Sequence, residues 1–326
     1  MISVSANADD FDDLDGFGED EDEFSVDLEE DLGPEDGEPE APRWWDLDGS
    51  VAISSSINYL SHDSATDTDY TGVSRLRTRL NLELDVDLPY EWELRVDPYV
   101  WYDFSYLING LSNFTSQVLD EYEWEGNFQD SWIQGPLFDD VDLKIGRQVV
   151  NWGRSDSLRV LDVLNPLDNR EPGRADIEDL RWAVGMAKLD WYIGNHWTVT
   201  AIAIPEIRVD TLPAVGSDFN PTPPNFPTPP KFKPKSFENW EAAASVRGIF
   251  QGWDISAHFA YVFEDIPRFE LVPGQLNPCT PFGSYIQTYD RLTLAGAGGN
   301  YTFGSWLLKA EAAWTGGFEF ACVDGK

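Results

Sequence analysis

The stretch from Arg75 to Leu88, RLRTRLNLELDVDL, alternates between apolar and polar residues over nearly its whole length. Successive residues of a β-strand point to opposite faces, so this pattern predicts a strand with leucine and valine on one face and mostly charged residues on the other. Such a strand is longer than the usual soluble strand of about 5–6 residues. Its length suits a tilted crossing of a lipid bilayer, which takes about 9–11 residues.

The same period of two recurs along the chain and predicts eleven strands. They span residues 51–59, 75–88, 91–104, 121–134, 141–150, 181–193, 196–205, 238–250, 253–264, 289–303 and 305–315. Short links at Gly194-Asn195, Gln251-Gly252 and Phe303-Gly304 alternate with long loops, as periplasmic turns alternate with extracellular loops in outer-membrane barrels. The sequence therefore predicts an all-β fold, a transmembrane antiparallel β-barrel of the outer-membrane type with long extracellular loops.

The charge balance argues against one class of partner. The chain has 59 acidic and 22 basic residues and a net charge of −37, whereas nucleic-acid binding needs clustered lysine and arginine. No nucleic-acid partner is therefore expected. The chain also lacks a run of about 18 apolar residues, so it predicts no transmembrane helix.

The two ends of the chain differ from the predicted strands. Residues 1–42 contain Ala6-Asn7-Ala8, a pattern typical of signal-peptide cleavage, and then a run of Asp and Glu with too little apolar surface to fold. We interpret this region as a residual signal peptide and a disordered acidic periplasmic tail, ahead of a barrel over residues 43–326. Bacterial barrels have an even number of strands, so either the barrel is incomplete at its C-terminus or one strand is miscounted.

A long segment dense in Arg, Asp, Asn, Pro and Gly follows the strand predicted at 141–150. A loop of roughly 28 residues inside a compact domain is uncommon and usually functional. This one keeps apolar residues such as Leu161 and Leu164, so it is expected to pack against the inside of the barrel as a constriction. The candidate constriction residues are Asn151, Trp152, Arg154, Asp156, Asn165, Asp168, Arg170 and Arg174.

Three blocks in this region, IGRQVVNWGRSDS, LDVLNPLDNREPG and DIEDLRWAV, closely resemble one protein family. It is a family of uncharacterised outer-membrane β-barrel proteins of Gram-negative bacteria, known as domain of unknown function 1302 (DUF1302). The resemblance runs from about Trp44 to the end of the chain. It implies a barrel in the bacterial outer membrane but no known solute, so the function must be argued from the residues.

The charged face of the strand predicted at 75–88 is a candidate selectivity lining. If the turn at Pro89-Tyr90 is tight, Arg77 lies opposite Asp103 and Asp85 lies opposite Arg95. These charges are either a satisfied network that holds the barrel open or a lining that selects a charged or polar solute. The candidate lining residues are Arg75, Arg77, Arg79, Glu83, Asp85, Asp87, Arg95 and Asp103.

The order of these charges along the strand suggests a class of solute. An arginine facing lipid costs about 2–4 kcal/mol near the bilayer midplane, so Arg75, Arg77 and Arg79 are expected inside the barrel. There they would form a positive zone above a negative one. The pattern therefore predicts a solute with carboxylate or sulfate groups, or a polar molecule that is aligned by the change of sign.

Arg147 is an exception to the alternation, because it shares the parity of Leu143 and Ile145 and would face lipid in a regular strand. Either Gly146 hosts a β-bulge that turns the arginine inward, or Arg147 lies at the outer rim against lipopolysaccharide phosphates. The sequence leaves both interpretations open.

Residues that could carry other chemistry are few. The three histidines lie far apart in the sequence and no metal or nucleophile motif is present, so no enzyme activity, metal site or cofactor is expected.

Cys279 and Cys322 are expected to form a disulfide between extracellular loops, since an even number of cysteines is typical of exported chains. Two free thiols are the alternative.

Two functions of an outer-membrane barrel remain, and a soluble β-sandwich is a third option, which fails if the protein needs detergent to stay in solution. The first is a porin-like outer-membrane barrel for passive passage of a polar, charged or amphipathic solute. The second is a non-transporting structural or receptor protein of the outer membrane, which contacts an envelope protein through its acidic tail or the Pro-rich loop at 207–237. In both cases the lipid bilayer and lipopolysaccharide are expected partners.

Overall fold

The computed structural model describes residues 43–59, 71–155, 158–174, 180–220, 234–271 and 285–318. Strands dominate these residues and pair in antiparallel fashion, with two short helices, α1 (Phe104–Asn109) and α2 (Ser116–Tyr122), and 3-10 turns at Pro89–Glu91 and Leu111–Asn113. The strands are β1 (Trp45–Asn58), β2 (Gly72–Leu88), β3 (Trp92–Val96), β4 (Pro98–Asp103), β5 (Trp124–Phe128), β6 (Ser131–Phe138), β7 (Val141–Gln148), β8 (Val184–Ile193), β9 (Trp197–Ile204), β10 (Glu241–Phe250), β11 (Trp253–Phe263), β12 (Arg268–Leu271), β13 (Tyr285–Thr288), β14 (Arg291–Phe303) and β15 (Trp306–Gly316). Among the described residues, no helix is long and apolar enough to cross a membrane.

Several sequence predictions fall on other parts of the chain. The acidic region 1–42, Asp156, Cys279, Cys322 and the proline-rich core of the 207–237 loop all lie outside the described residues. The predicted tail, disulfide and docking loop therefore stay predictions.

Two predicted strands are divided in the structure. The stretch 91–104 forms β3 and β4, because Pro98 has no N–H for the ladder and the N–H of Asp97 donates to Ser131 Oγ (3.0 Å) instead. The start of the strand predicted at 121–134 is wrong, since Thr115 caps α2 by accepting from the Val118 N–H and the helix continues to Tyr122. With the added β12–β13 hairpin, the described residues hold fifteen strands where the sequence predicted eleven.

The chain forms two compact units, and the first is organised around β2. This unit comprises the described residues within Met1–Pro89, Glu93–Ser131 and Ala214–Phe226. β2 runs for 17 residues and pairs with β1 along one edge and with β3 and β4 along the other, while β5 pairs with β4. The long alternating strand predicted from the sequence is therefore present.

The second unit comprises the described residues within Tyr90–Trp92, Trp132–Pro213 and Pro227–Lys326. Its main strands form an antiparallel sheet in the order β6-β7-β8-β9-β10-β11-β14-β15. Tight turns join β8 to β9 and β14 to β15, and Gly194 and Gly304 adopt there the positive φ of 59° that favours glycine. The long connections leave from the opposite end of the sheet, so short links and long loops alternate as predicted.

The two faces of this second sheet differ in exposure, which β11 shows most clearly. Residues alternate along the strand between exposed and buried positions. The exposed set is Trp253, Ile255, Phe259 and Tyr261, and the buried set is Ser256, His258, Ala260 and Val262. One face of the sheet is thus covered by another part of the same unit.

Candidate functional site

The described parts of the connection from β7 to β8, residues 149–155, 158–174 and 180–183, cover that buried face; together we call them the inner segment. Its apolar side chains Trp152, Leu161 and Leu164 are buried, and the Trp152 ring lies 4.6 Å from the His258 ring. They form one core with residues from five strands: Val184, Met186, Ile202, Ile204, Ala243, Ala260, Val262 and Leu294. The loop expected to pack inward therefore packs on the sheet of its own unit.

Glycines in β14 make room for the inner segment. A Cβ atom on Gly296 would clash with Leu161 Cδ2, and one on Gly298 would lie 2.9 Å from Arg154 Nε. Both glycines lie on the covered face, where an added side chain would have to displace Leu161 or Arg154. Close approach of the segment thus accounts for Gly296 and Gly298 in the small-residue run AGAGGN of β14.

Asn165 ties the two ends of the inner segment together. The side chain is fully buried. Its Oδ1 accepts a hydrogen bond from the Val150 N–H (2.8 Å), and its Nδ2 donates to the carbonyl oxygens of Gln148 (3.1 Å) and Trp182 (2.8 Å). One amide thereby satisfies three backbone groups where the segment leaves β7 and returns to β8.

Arg154 fixes the first part of the inner segment to the sheet. Its guanidinium lies 2.5 Å from Asp254 Oδ1 and donates to Ser256 Oγ (2.8 Å), both on β11. Its backbone N–H donates to Glu311 Oε2 on β15 (3.0 Å). The guanidinium side chain is nearly buried, at 9% exposure, so this anchor is shielded from solvent competition.

Other charged residues of the segment are paired with one another. Asp162 Oδ2 accepts hydrogen bonds from Arg159 Nε (3.0 Å) and Arg181 Nε (2.9 Å). Arg170 donates to both carboxylate oxygens of Asp168, at 2.7 and 2.5 Å. Because these bonds close within the segment and its return to β8, they give it a defined conformation.

The remaining constriction candidates have local roles. Arg174 Nη1 lies 3.4 Å from Glu171 Oε2, and Asn151 Oδ1 accepts from the Gly153 N–H (2.8 Å). Asp156 lies outside the described residues. The seven described candidates therefore all belong to one inner segment, and most of their polar groups shape it.

Asp210, which the sequence did not single out, holds the middle of the inner segment. Its Oδ1 accepts from the Leu167 N–H (2.7 Å) and its Oδ2 from Asn169 Nδ2 (3.0 Å). Burial raises the pKa of Asp210, although these bonds oppose the shift. Its backbone N–H donates to the Asp265 carbonyl oxygen (3.2 Å). Asp210 therefore also links the inner segment to the connection that follows β11.

A cavity of about 280 Å³ lies beside these residues. Its apolar walls include Val163, Val262, Phe263, Leu292, Leu294 and Phe318, and its charged groups are Arg159, Asp162, Asp210, Glu264 and Asp265. Asp210 and Asp265 follow strands that are far apart in the sequence, in stretches without periodicity. No sequence signal therefore predicted that they meet.

In the first unit, the charged face of β2 pairs in the predicted register. Arg77 lies opposite Asp103, with 3.5 Å between Nε and Oδ2, and Arg79 lies opposite Trp101. The Arg77 guanidinium lies 3.9 Å from the centre of the Trp101 ring and that of Arg79 lies 4.3 Å from the Tyr99 ring. Stacking on buried aromatic rings adds to the charge pairing.

The other candidate lining residues lie towards the ends of β2. Arg95 donates to both oxygens of Asp85 at 2.8 Å and lies 2.9 Å from Glu83 Oε1. Arg75 lies opposite Ser56 of β1, and the N–H of Asp87 donates to the Trp44 carbonyl oxygen (2.7 Å). The face thus has arginines at one end and an Arg–carboxylate network at the other.

This arrangement supports a test of the arginines. Replacing Arg75, Arg77 and Arg79 together by Gln should shift the ion selectivity of the full-length protein towards cations, since three positive charges are removed from one face. The measurement is the reversal potential across a planar bilayer under a salt gradient. An unchanged reversal potential would show that the arginines, one of them already paired with Asp103, only support the fold.

Arg147 lies at the end of β7. The register of β7 with β8 is continuous from Val141 to Gln148, so this strand pair has no bulge at Gly146. Arg147 keeps the parity of Ile145, and its Nη2 donates to Glu206 Oε1 at 2.7 Å. A carboxylate of the same unit therefore neutralises this arginine.

These features define a class of protein: an all-β, antiparallel chain with a long segment packed on one face of its larger sheet. The chain belongs to the family described as "Protein of unknown function (DUF1302)", whose profile matches residues 32–325. The resemblance seen in the sequence is thereby confirmed. No curated protein matches the chain.

Two solved structures are similar to parts of this one. OprB of Pseudomonas putida is 12% identical, with a TM-score of 0.39 over 79% of this chain and 62% of OprB. The toluene transporter TodX of Pseudomonas putida is 10% identical, with a TM-score of 0.22 over 85% of this chain and 66% of TodX. The chain spans less than two thirds of the length of either protein, and likenesses of this size do not define a function.

Proposed function

We propose that this protein is a porin-like β-barrel of the bacterial outer membrane, through which a polar, charged or amphipathic solute passes passively. The observation that carries the proposal is the apolar face of the second unit's sheet, opposite the inner segment. Its exposed residues are Trp191, Ile193, Trp197, Val246, Ile255, Phe259, Tyr261, Tyr301, Leu308 and Trp314. Soluble monomers rarely expose contiguous apolar patches of more than a few hundred Å², so lipid is the natural partner of this face.

The covered face has the character expected of a barrel interior. Beyond the core under the inner segment it becomes polar, where Asp190 accepts from Thr200 Oγ1 (2.6 Å) and lies 3.0 Å from Lys188 Nζ. Apolar residues towards lipid and polar residues towards an aqueous interior are the alternation of outer-membrane barrels. The inner segment would then narrow the path of the solute.

We propose a passive role, and a histidine–serine pair in the second unit does not argue against it. His258 Nε2 lies 2.9 Å from Ser256 Oγ, the geometry of a nucleophile and its base. However, Nδ1 of His258 is buried and has no hydrogen-bond partner within the described residues, whereas a catalytic histidine is oriented by a third group. Ser256 also accepts a hydrogen bond from Arg154. The Ser256–His258 pair is therefore part of the contacts that hold the inner segment on the sheet.

A second candidate function is a structural or receptor protein that transports nothing. The close packing of the inner segment favours it, since Leu161 is fully buried and Arg154 is bonded to the sheet. A segment held in this way would plug the interior rather than narrow it.

Conductance of the full-length protein in planar bilayers separates the two functions. We expect small steps for the wild type and larger steps for Arg154→Met, because the variant loses the guanidinium contacts that hold the start of the inner segment on β11. Lys235→Met is the matched control, since Lys235 is 77% exposed and pairs only with exposed Glu238 among the described residues; its steps should equal those of the wild type. Silence of all three proteins, in samples that insert and show the heat-dependent gel mobility of folded barrels, would favour the structural or receptor function.

A further inference from the structure

The cavity beside the inner segment has a mainly apolar wall. Val262 and Phe263 at the end of β11, Leu292 and Leu294 of β14, and Val163 of the inner segment line it, with half-exposed Phe318 beside them. Its volume of about 280 Å³ lies near the lower end of ligand pockets, which span about 300–1,000 Å³. The cavity is therefore suited to a small molecule with an apolar body.

The charged groups of the cavity are mostly acidic. Four carboxylates line it, those of Asp162, Asp210, Glu264 and Asp265, against one guanidinium, that of Arg159. Arg159 is already bonded to Asp162 Oδ2 and to the carbonyl oxygen of Asn165. Arg181 also donates to Asp162 Oδ2, so two guanidinium groups stand against four carboxylates, and an excess of negative charge remains.

One carboxylate oxygen in the cavity is buried without a donor. The Asp162 side chain is only 1% exposed, yet its Oδ1 receives no hydrogen bond within the described residues. Asp265 is half-buried, and no side chain of the described residues donates a hydrogen bond to it. Buried oxygens without donors cost free energy, which a bound donor would recover.

The titration of Asp265 agrees with this excess of negative charge. Burial raises its pKa well above the ordinary value, and the charges of Asp210 and Glu241 raise it further. Burial likewise raises the pKa of Glu264, with Asp290 adding to the shift. A cation in the cavity would oppose these shifts by stabilising the ionised carboxylates.

We infer that this cavity binds a small amphipathic amine, with the ammonium group at Asp162 and Asp265 and the apolar body against Phe263 and the β14 leucines. The apolar wall favours an organic cation over a metal ion, and the described residues hold no group of carboxylates arranged for a metal. This inference rests on the proposed function, because it names the solute class of the proposed pore. That class is cationic and therefore departs from the carboxylate or sulfate solute that the order of charges along β2 predicted.

The test uses the full-length protein in detergent solution at mildly alkaline pH, with binding measured by calorimetry. The probe is phenethylammonium, and 3-phenylpropionate is an anion of similar size and shape. We expect the amine to bind and the carboxylate not to bind. Asp265→Asn should weaken amine binding by about tenfold or more, the loss expected for one charge-assisted contact. Glu238→Gln, which removes an exposed carboxylate away from the cavity, should leave binding unchanged.

Equal binding of both probes, absence of amine binding, or an Asp265→Asn variant that binds as the wild type does would overturn the inference. The comparison of the two probes needs only the wild type, so it holds even if the variant fails to fold. Because no membrane is involved, failure of the inference differs from failure of the proposed function. If the amine binds but planar bilayers show no conductance, only the proposed pore is wrong. If the protein conducts but does not bind the amine, only the amine site is wrong.

Discussion

Replacing Asn165 by leucine should lower the free energy of unfolding by about 3 kcal/mol or more, because three buried backbone groups lose their partner at about 1–3 kcal/mol each. These groups are the N–H of Val150 and the carbonyl oxygens of Gln148 and Trp182. Urea unfolding in detergent micelles, followed by tryptophan fluorescence, measures the effect. Trp152 and Trp182, both in the inner segment, would report the change directly.

Two further substitutions make this result specific. Asn165→Asp keeps the acceptor for the Val150 N–H but loses both donors, so its stability should fall between those of the wild type and the leucine variant. Asn113→Leu is the matched control, because the side chain of Asn113 is exposed and donates one hydrogen bond, to the Asn109 carbonyl oxygen (2.7 Å). Surface changes of this kind usually stay within about 0.5 kcal/mol. Identical urea midpoints for Asn165→Leu and the wild type would show that the three hydrogen bonds of Asn165 do not stabilise the fold.

Gly296→Val should displace the inner segment from the sheet. The new side chain would meet Leu161 Cδ2 and the backbone oxygen of Ala312, at 2.8 Å from the latter. Overpacking costs typically about 1–3 kcal/mol, which corresponds to an increase of about five- to 150-fold in the population of the displaced segment. Trypsin cleavage after Arg159 and Arg170 should accelerate by the same factor, since both arginines are bonded in the folded segment.

The neighbouring residue on the same strand provides the control for this prediction. Ala297 lies on the exposed face of β14, so Ala297→Val adds the same kind of branched side chain without touching the inner segment. Its cleavage rate should match that of the wild type. If both variants are cleaved at the same rate, the close approach of Leu161 to Gly296 does not hold the segment in place.

In planar bilayers, Gly296→Val should also show larger conductance steps than the wild type, because the displaced segment would leave a wider path.

Local patterns in the sequence account for the parts of the fold that depend on near neighbours. The alternation from Arg75 to Leu88 places leucine and arginine on opposite faces, because side-chain direction in a strand depends only on parity. The turn at Pro89–Glu91 is tight, so it also sets the register of Arg77 with Asp103 and of Asp85 with Arg95. The same reasoning missed the end of α2, where a capping hydrogen bond outweighs the strand pattern.

Local patterns in the sequence predicted only part of the candidate site. The length and composition of residues 151–179 predicted a segment that packs inward, and its apolar residues do pack on the sheet. The hydrogen bonds that fix it to β11 and β15, and those of the Asn165 side chain, were not predictable. Hydrogen bonds such as that from Arg154 to Glu311 join residues 157 positions apart, and no periodicity in the sequence records such a pairing.

By itself the sequence determined most of the strands, the direction of their side chains and the register across the Pro89–Glu91 turn, since each follows from interactions between residues close along the chain. Only the tertiary structure decided how the inner segment lies and which carboxylates share a cavity. Asp162, Asp210 and Asp265 come from three separate connections, and the sheet brings them to one place. The physical reason is that packing and burial depend on which surfaces meet, and that is settled only when distant strands have paired.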